Sequence, residues 1–297
     1  MSEPLRVAYQ GEPGANSHIA VLEVYPDAWP VPCPTFEDCF AALESGAADL
    51  AMIPIENSVA GRVADIHSLL PSAHAYIIRE HFLPIHHQLL GLKGAKLSDI
   101  RTVQSHVQAL GQCRRRLRGL GMEPVVGADT AGSAREIAQA GDISRGALAS
   151  KLAAKVYDLQ ILLPDVEDEK HNTTRFVVFS REATRPPVGE GMVVTSLLFR
   201  VRNVPAALYK ALGGFATNGV NITKLESYQL AGQFFATQFY ADVEGHIDDP
   251  SVRLAIEELA FFSAELKVLG VYPAAPFREA IREPEENRPL RPSPAAE

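Results

Sequence analysis

The sequence predicts an α/β protein whose two lobes flank a cleft and are followed by a smaller unit of βαββαβ order. In residues 5–180, short apolar runs alternate with stretches of helical spacing, which is typical of a largely parallel sheet covered by helices. A stretch rich in proline and glycine at 185–191 then predicts a linker. The length of 297 residues fits about two domains, and the 46% of hydrophobic residues fits a globular chain.

The first lobe is predicted from a strand–helix–strand–helix order. The apolar run at 5–9 predicts a strand, and Ser17 is expected to cap the helix that follows. A capping-box sequence begins at Thr35, and Gly46 is expected to end that helix. The apolar run at 50–54 predicts a short buried strand.

The second lobe repeats this logic. Thr130 and Ser150 are expected to cap helices, and Gly121 and Gly141 to follow the ends of helices. Because ligands of open α/β sheets bind beyond the carboxyl ends of strands, the cleft between the lobes is the expected site. The predicted strands lie at 76–78, 85–92, 102–103, 122–126 and 175–180, and the helices at 107–120, 130–140 and 151–157.

The C-terminal unit has the element order of a ferredoxin-like split βαβ fold. Such a unit has an open sheet edge that commonly pairs with another copy. Its strands are predicted at 193–201, 221–230, 234–243 and 265–271, and its helices at 205–217 and 250–263. The predicted organisation is a first domain at 5–181, a linker at 182–191, a second domain at 192–272 and a mobile tail at 273–297.

Composition excludes several classes of protein. A net charge of −8 argues against nucleic acid and anionic membranes as partners. No apolar stretch has the ~18–20 residues that span a bilayer, and the N-terminal residues lack a secretory signal core. The three cysteines form no Cys-x-x-Cys pair, so neither a disulfide framework nor a zinc site is indicated. We expect a cytoplasmic protein with reduced thiols.

Four polar clusters stand where predicted strands end. Exposed backbone N–H groups at such places bind anions, although each cluster alone is more often an ordinary cap or turn. The first cluster has the glycine spacing of neither a phosphate loop nor a dinucleotide loop, which favours a carboxylate ligand over a nucleotide. The clusters lie at 9–17, 54–61, 102–106 and 172–176.

Arg175 is the cation within these clusters, and a guanidinium binds carboxylate in a bidentate fork. The alternative is a structural ion pair with Asp165, Glu167 or Asp168. His106 either caps a helix or touches the ligand. Residues 165–170 are more typical of a solvated loop than of a metal site. The sequence indicates no covalent nucleophile, metal or redox cofactor.

Together the clusters resemble the signatures of prephenate dehydratase. These signatures are Y-Q-G-x-x-G-x-x-S at 9–17, P-I-E-N-S-x-x-G at 54–61, T-V-x-S-H-x-Q-A-L-x-Q-C at 102–113 and N-x-T-R-F at 172–176. The C-terminal unit resembles the ACT regulatory domain of the same family. The resemblance implies two lobes like those of type 2 periplasmic solute receptors. It also implies cofactor-free conversion of prephenate to phenylpyruvate, carbon dioxide and water in phenylalanine biosynthesis.

The resemblance also implies roles for residues of the cleft. Thr174 matches the family's essential threonine and is assigned to the departing hydroxyl, the alternative being a threonine chosen for its β-propensity. Asn57 and Ser58 are expected to bind a carboxylate or the hydroxyl, and Arg175 the pyruvyl carboxylate. Glu56 either relays a proton or orders its loop. The remaining expected contacts of the cleft wall are Thr173, Gln10, Ser105, His106 and Phe176.

In this family the ACT domain binds phenylalanine at a subunit interface, which implies a homodimer or homotetramer. The family's N-x-P-G-A-L motif stands at 203–208 with Ala206 in place of glycine, and its E-S-R-P motif at 226–229 ends in Tyr228 and Gln229. The alternative is a domain that serves dimerisation alone. The expected effector contacts are Ala207, Leu208, Asn221, Glu226 and Ser227.

Two other functions stay open. One is the same reaction on arogenate, whose side chain carries an amino group. The other is a non-catalytic solute receptor or amino-acid sensor, which would need the cleft but not Thr174.

Overall fold

The computed structural model describes residues 3–202, 204–229 and 236–281 and arranges them in two lobes and a C-terminal domain. The chain begins with β1 (Arg6–Gln10), α1 (Asn16–Val24), β2 (Trp29–Cys33), α2 (Phe36–Glu44), β3 (Leu50–Asn57), β4 (Gly61–Arg62), α3 (Ala64–His67) and β5 (Tyr76–Pro84). It continues with β6 (Gln88–Gly91), a 3₁₀ turn (Leu97–Asp99), β7 (Thr102–Ser105), α4 (Val107–Gln112), α5 (Arg114–Gly119), β8 (Glu123–Val126), α6 (Thr130–Ala140), β9 (Arg145–Ala149), α7 (Lys151–Val156) and β10 (Gln160–Leu163). The remaining elements are β11 (Thr173–Ser180), β12 (Val193–Val201), α8 (Ala207–Thr217), β13 (Ile222–Gln229), β14 (Ala236–Glu244), α9 (Pro250–Phe262), β15 (Ser263–Pro273) and α10 (Pro276–Ala280).

The first lobe is built on parallel β1, β2 and β3; β11 pairs antiparallel with β3, and β5 pairs antiparallel with β11. The predicted capping box is present, because the Thr35 hydroxyl accepts from the Asp38 amide and the Asp38 carboxylate accepts from the Thr35 amide. Strand β2 was not predicted from the sequence. Its two prolines lack the N–H groups of a central strand, and they are tolerated because β2 is the terminal strand of its sheet.

The second lobe has a sheet of its own, with the strand order β10-β6-β9-β7-β8. The predicted helix at 107–120 is two short helices, because Cys113 between them has φ −112° and ψ 13° rather than helical angles. Ser150 caps α7 as predicted, accepting from the Ala153 amide. The cap of α6 is Asp129 rather than the expected Thr130.

The C-terminal domain has the predicted βαββαβ order, with strands arranged β13-β14-β12-β15. Its outer strand β15 pairs in parallel with β5 at Gly270 and Ile77, so that one sheet runs through both this domain and the first lobe. A Cβ on Gly270 would lie 2.1 Å from the Ile77 carbonyl oxygen, so only glycine permits this approach. One edge that we expected to be open is thus joined to the same chain.

The sheet of the C-terminal domain is covered on both faces. Helices α8 and α9 cover one face, where Leu197, Phe199 and Phe239 form part of a core. The other face packs on the first lobe, where Leu198 and Tyr272 share a core with residues of β3, β5 and β11. This double coverage explains why β12 is buried along nearly its whole length.

The expected mobile tail is packed over its first residues. Helix α10 places the ring of Phe277 against Phe82, with ring centroids 4.6 Å apart, and Arg278 binds Glu80. This corrects the expectation for residues 273–281, while 282–297 lie outside the described residues. Among the helices of the described ranges, none is both long enough and apolar enough to cross a membrane.

Candidate active site

Asn57 and Thr174 are partners on neighbouring antiparallel strands, β3 and β11. The Asn57 amide nitrogen donates to the Thr174 hydroxyl oxygen at 2.9 Å and to the Asn172 side-chain oxygen at 2.7 Å. The Asn57 side-chain oxygen accepts from the amides of Val59, at 3.0 Å, and Ala60, at 2.7 Å. Both ends of the Asn57 side chain are therefore engaged, and its orientation is fixed.

This geometry determines what the Thr174 hydroxyl can do. An amide nitrogen only donates, so the Thr174 oxygen is the acceptor in its bond with Asn57. Within the described ranges, the Thr174 hydroxyl donates no hydrogen bond. The half-buried side chain is thus held as a hydrogen-bond donor with its proton free.

A hydrogen-bonded chain continues from this pair into the second lobe. The Asn172 amide donates to the Gln112 side-chain oxygen at 2.9 Å, and Nε2 of His87 lies 2.7 Å from the same oxygen. Because that oxygen only accepts, His87 carries its proton on Nε2. Burial lowers the pKa of His87, which favours the neutral ring. Sequence reasoning missed Gln112 and Asn172, although both stand inside the motifs quoted above.

A cavity of about 420 Å³ lies beside this chain of hydrogen bonds, between the first lobe's 58–60 loop and the α4–α5 region of the second lobe. The cavity lies in the cleft between the lobes, where the sequence predicts the site. Asn172 lines this cavity, and Asn57 links Asn172 to Thr174 by hydrogen bonds. The residues that line the cavity are Val59, Ala60, Gln108, Gly111, Gln112, Arg115, Asp168, Glu169 and Asn172.

On another side the lobes are in contact through the glycine-rich loop at 11–15. Tyr157 donates to the Pro13 carbonyl at 2.8 Å, and Arg135 pairs with Glu12 at 2.7 Å. A Cβ on Gly14 would lie 2.7 Å from the Ala153 Cα, so glycine allows the lobes to meet here. The loop expected to bind an anion therefore serves as a contact between the lobes.

Ser58 ties the loop after β3 to β11. Its hydroxyl donates to the His171 carbonyl at 2.7 Å and accepts from the Thr173 amide at 2.9 Å. Its own amide donates to the Thr173 carbonyl at 2.9 Å. These bonds occupy the groups that we expected to meet substrate, so the placement favours a structural role for Ser58.

Arg175 corrects the expectation from sequence. Its side chain is 1% exposed, and it donates from Nε to Glu80 at 2.8 Å and from Nη1 to Glu56 at 2.9 Å. It also donates to Asp242 and, from Nη2 at 2.9 Å, to the Tyr272 hydroxyl. These partners use four of the five N–H groups of the buried guanidinium, which leaves no pair of N–H groups for a bidentate bond to a pyruvyl carboxylate in the cleft.

The reason is the alternation of side chains along a strand. Thr174 and Arg175 are consecutive residues of β11, so their side chains point to opposite faces of the sheet. Thr174 faces the Asn57–Asn172 side, and Arg175 faces the C-terminal domain. The alternative ion pair was also wrong in its partners, since Asp165, Glu167 and Asp168 lie in the loop between β10 and β11 and contact other groups.

Other expected site residues are engaged elsewhere. Glu56 accepts from Arg175 and Lys224, which favours the loop-ordering role over the proton relay. Phe176 is buried in the core on the β1 side and does not line the described cavity, which corrects its assignment. Thr173 lies on the Arg175 face, beside a second cavity of about 360 Å³.

The remaining expected site residues, in β1 and the second lobe, are also hydrogen-bonded to the backbone of the protein. Ser105 is fully buried and donates to the Leu148 carbonyl at 2.7 Å. His106 caps α4, its Nδ1 accepting from the Gln108 amide at 3.3 Å, as one alternative had it. Gln10 donates to the Pro34 carbonyl at 3.4 Å.

The expected effector residues are spread over two faces of the C-terminal domain. Glu226 accepts from Lys224 and Tyr228 on the face toward the first lobe, whereas Ser227 is exposed. The Asn221 amide lies 3.2 Å from the Glu244 carboxylate. Ala207 is buried beneath the helices and Leu208 packs against the same core. Residues 203–208 of the first motif include Asn203, which lies outside the described residues.

One group of side chains in the described ranges has the composition of a metal site. Ligand atoms of His86, Asp165 and Glu167 lie within 4.8 Å of one another. Glu167 already accepts from His86 at 2.8 Å and from the His87 amide at 2.9 Å. The group is therefore satisfied by its own hydrogen bonds, and it lies apart from Thr174.

Comparison with known proteins assigns the chain to a family. The family model described as prephenate dehydratase matches residues 7–184. The chain belongs to the prephenate dehydratase family. The resemblance drawn from the four motifs is thereby confirmed, and the chain is an enzyme of a lyase family.

Relatives of this family cover almost the whole chain. A bifunctional N-acyl-homoserine lactone acylase/prephenate dehydratase of Komagataeibacter europaeus is 52% identical over 273 residues, which are 92% of this chain and 97% of the relative. Arogenate dehydratase/prephenate dehydratase 1 of Arabidopsis thaliana, a chloroplastic protein, is 36% identical over 91% of this chain and 72% of its own length. The crystal structure of a prephenate dehydratase in complex with L-Phe from Arthrobacter aurescens superimposes with a TM-score of 0.83 at 30% identity, covering 91% of this chain and 90% of that one.

Proposed function

We propose that this enzyme converts prephenate to phenylpyruvate, carbon dioxide and water, with the Thr174 hydroxyl donating to the departing oxygen. The observation that carries the proposal is the bond in which Thr174 accepts from Asn57 and keeps its own proton free. A threonine fixed in this way is suited to donate to one atom of a bound ligand. The cavity beside Asn172 provides space for a small dicarboxylate.

The reaction requires little more than placement and one strong donor. The C–CO₂ bond breaks, its electron pair enters the ring diene, and hydroxide leaves from the opposite ring carbon. The departing oxygen takes up a proton that solvent finally supplies, so it leaves as water. Aromatisation drives the reaction, and the protein stabilises the charge that develops on the leaving oxygen. Because the pKa of a threonine hydroxyl is far above neutrality, Thr174 acts as a hydrogen-bond donor rather than a free-standing acid.

The withdrawal of Arg175 from the cleft supports this chemistry. A cation on the ring carboxylate would stabilise the ground state and slow the loss of carbon dioxide. Among the residues that line the cavity, the arginine is Arg115, whose side chain is 71% exposed and is paired with Glu169 at 2.6 Å. We assign Arg115 to the pyruvyl carboxylate, which can lie toward the mouth of the cleft while the ring lies inside.

The decisive experiment is incubation of the purified enzyme with prephenate, followed by the absorbance of the phenylpyruvate enolate. Arogenate is the matched alternative substrate, and it gives phenylalanine, which chromatography measures. A higher kcat/KM for arogenate assigns the enzyme to that substrate, as the plant relatives suggest. Binding of prephenate without product assigns the chain to the non-catalytic receptors on this scaffold.

We further propose that the C-terminal domain is an ACT domain and that phenylalanine is its effector. The βαββαβ order supports the first part, and the L-Phe complex of the Arthrobacter relative supports the second. Glu226 and Ser227 face opposite sides of β13, so they do not line one pocket of a single copy. An effector pocket shared between two copies, as the family resemblance implies, favours a homodimer or homotetramer. Calorimetry with phenylalanine and analytical ultracentrifugation test both points. A monomer that gives no heat leaves the domain without either role.

A second activity is favoured by one relative. The Komagataeibacter protein, with 52% identity over nearly the whole chain, is named as an acylase of N-acyl-homoserine lactones as well as a prephenate dehydratase. We propose the same amide hydrolysis as a secondary activity here. Release of homoserine lactone and fatty acid from an N-acyl-homoserine lactone, measured by mass spectrometry, tests it. No release above that of heat-inactivated enzyme rejects it.

A further inference from the structure

We propose that Asp242 and Tyr272 of the C-terminal domain are positioning residues for Thr174, acting through the buried guanidinium of Arg175. The inference rests on the proposed function in that it gives Thr174 its catalytic role. It extends that function by making the geometry of the active-site threonine depend on side chains outside the two lobes.

Thr174 and Arg175 are neighbours along β11. Thr174 and Arg175 are joined by one peptide unit, so a displacement of the Arg175 backbone also displaces Thr174. The pairing of β11 with β3 is irregular directly after this point, since the register shifts between Arg175 and Phe176. On its other side β11 pairs with β5 without a shift from Thr173 to Val178, so the contacts of the Arg175 side chain add to a placement that this ladder also supports.

The groups that bind Arg175 come from two parts of the chain. Glu80 and Glu56 come from the first lobe, whereas Asp242 and Tyr272 come from β14 and β15 of the C-terminal domain. The side chains of Glu80 and Asp242 are both fully buried. The guanidinium is thus clamped between the two units, and it is satisfied only when both are in place.

The charge of the buried Arg175 guanidinium depends on its partners. Burial is the largest single influence and lowers the pKa of Arg175, but the neighbouring groups, Asp242 first among them, together outweigh burial and raise the pKa. A buried charge that loses its partner is strongly destabilising, so Arg175 follows Asp242 when the C-terminal sheet moves. Arg278 of α10 also binds Glu80 and balances the charge of this cluster.

The groups behind the clamp are rigid. The Tyr272 hydroxyl lies 2.7 Å from that of Ser196, and Ser196 also donates to Asp242. The Tyr240 hydroxyl donates to Oδ1 of Asp242 at 2.7 Å, while Arg175 binds Oδ2. A network in which every polar group is satisfied has one favoured geometry. The contacts therefore transmit the position of β12, β14 and β15 to β11.

Two buried tyrosines give a matched test. Tyr272→Phe removes the hydroxyl that binds Arg175, and Tyr240→Phe removes one that touches only the far oxygen of Asp242 and Ser196. Both side chains are fully buried and lose one oxygen each. We expect Tyr272→Phe to lower kcat about fivefold with an unchanged KM, and Tyr240→Phe to stay within about twofold of wild type. Equal effects of the two variants would overturn the proposal.

A second measurement separates positioning from general weakening of the fold. In the Thr174→Ala background, Tyr272→Phe is expected to cause no further loss of the residual kcat, because the group that it positions is gone. A further fivefold loss in that background contradicts the proposal.

A readout without turnover keeps the test independent of the proposed function. In protein labelled with ¹³C-methyl threonine, the Thr174 methyl resonance is expected to shift in Tyr272→Phe and to stay in place in Tyr240→Phe. If wild type converts neither prephenate nor arogenate, the proposed function fails, and this comparison still decides the positioning. An unmoved Thr174 methyl resonance in Tyr272→Phe overturns it.

Discussion

The amide nitrogen of Asn57 lies 2.9 Å from the hydroxyl oxygen of Thr174, and this bond determines the direction in which the threonine proton is available. Asn57 is held in turn by the amides of its own loop and by Asn172. The pair joins the last residue of β3 to the start of β11, where the chain returns from the second lobe to the first.

Removal of the Thr174 hydroxyl is expected to abolish most of the activity. Thr174→Ala should lower kcat by at least ~10²-fold, which is typical for the loss of one preorganised donor. Thr174→Ser keeps the hydroxyl and should retain much of the rate. Steady-state kinetics with prephenate measures both, and circular dichroism checks that the variants are folded. Near-normal turnover in the alanine variant would show that another group assists the leaving oxygen.

Reversal of the Asn57–Thr174 bond is a finer test. Asn57→Asp keeps the oxygen that accepts from Val59 and Ala60 but replaces the donor by a second acceptor. The Thr174 proton is then expected to bind this carboxylate and to be lost to the substrate. We predict a fall in kcat of about 10²-fold, similar to that of Thr174→Ala. Rapid-quench turnover at saturating prephenate measures it, and Asn57→Asp with wild-type kcat would contradict the assigned direction of the bond.

The residue that replaces a family glycine is expected to be strained. Ala206 has φ +61°, in the left-handed region that costs a non-glycine residue about 1 kcal/mol. Ala206→Gly should therefore raise the free energy of unfolding by up to about 1 kcal/mol. The control is Ala216→Gly on the exposed side of α8, where the same change should lower it by about 1 kcal/mol. Urea denaturation measures both, and equal signs would refute the strain.

The glycine at the domain joint is expected to tolerate no side chain. In Gly270→Ala the new Cβ would meet the Ile77 carbonyl at 2.1 Å, so β15 and β5 must separate. We expect a loss of about 1–3 kcal/mol and faster hydrogen exchange in β5. Gly213→Ala is the control, because its Cβ meets nothing within 4 Å in the middle of α8 and alanine favours helix. A Gly270→Ala variant as stable as wild type would mean that the joint is loose.

His67 is expected to make folding sensitive to acid. It is 2% exposed, stacks on Tyr228 with centroids 4.1 Å apart, and burial lowers its pKa to about 4. The unfolded chain then binds the His67 proton more tightly than the folded chain does. His67 therefore leaves the free energy of unfolding unchanged above pH ~6.5 and lowers it as the pH falls toward 4. Between pH 7 and 5, wild type should lose about 2 kcal/mol more than His67→Phe. Urea titrations at both pH values measure this, and parallel losses would contradict it.

Much of the fold follows from local signals in the sequence. The capping box at Thr35, the cap at Ser150 and the βαββαβ order are set by neighbours within a few residues, and the structure confirms them. Strand β2 and helix α10 were missed because each contains proline, which usually marks a loop. Their structure depends on an edge position and on the Phe82 ring, which are tertiary facts.

The candidate site was predicted in part. Motif spacing brought Asn57 and Thr174 to the same place, but it also assigned Arg175 to the cleft beside them. The alternation of T-T-R-F along a strand contained the correction, because Thr174 and its neighbour must face opposite ways. No local signal named the partners of that arginine, since Asp242 and Tyr272 follow it by 67 and 97 residues. An aspartate inside the apolar strand at 236–244 was the available hint.

The sheet that runs without interruption from β2 to β13 makes the C-terminal domain a structural part of the dehydratase. A chain cut within the 182–191 linker would bare the flank of β5 and leave a buried cation without two of its four partners. Replacement of the C-terminal domain by that of a relative would fail for the same reason unless the residues of the β5–β15 joint were replaced with it. The C-terminal domain and the two lobes are therefore constrained to evolve together, because they share one sheet and one buried ion cluster.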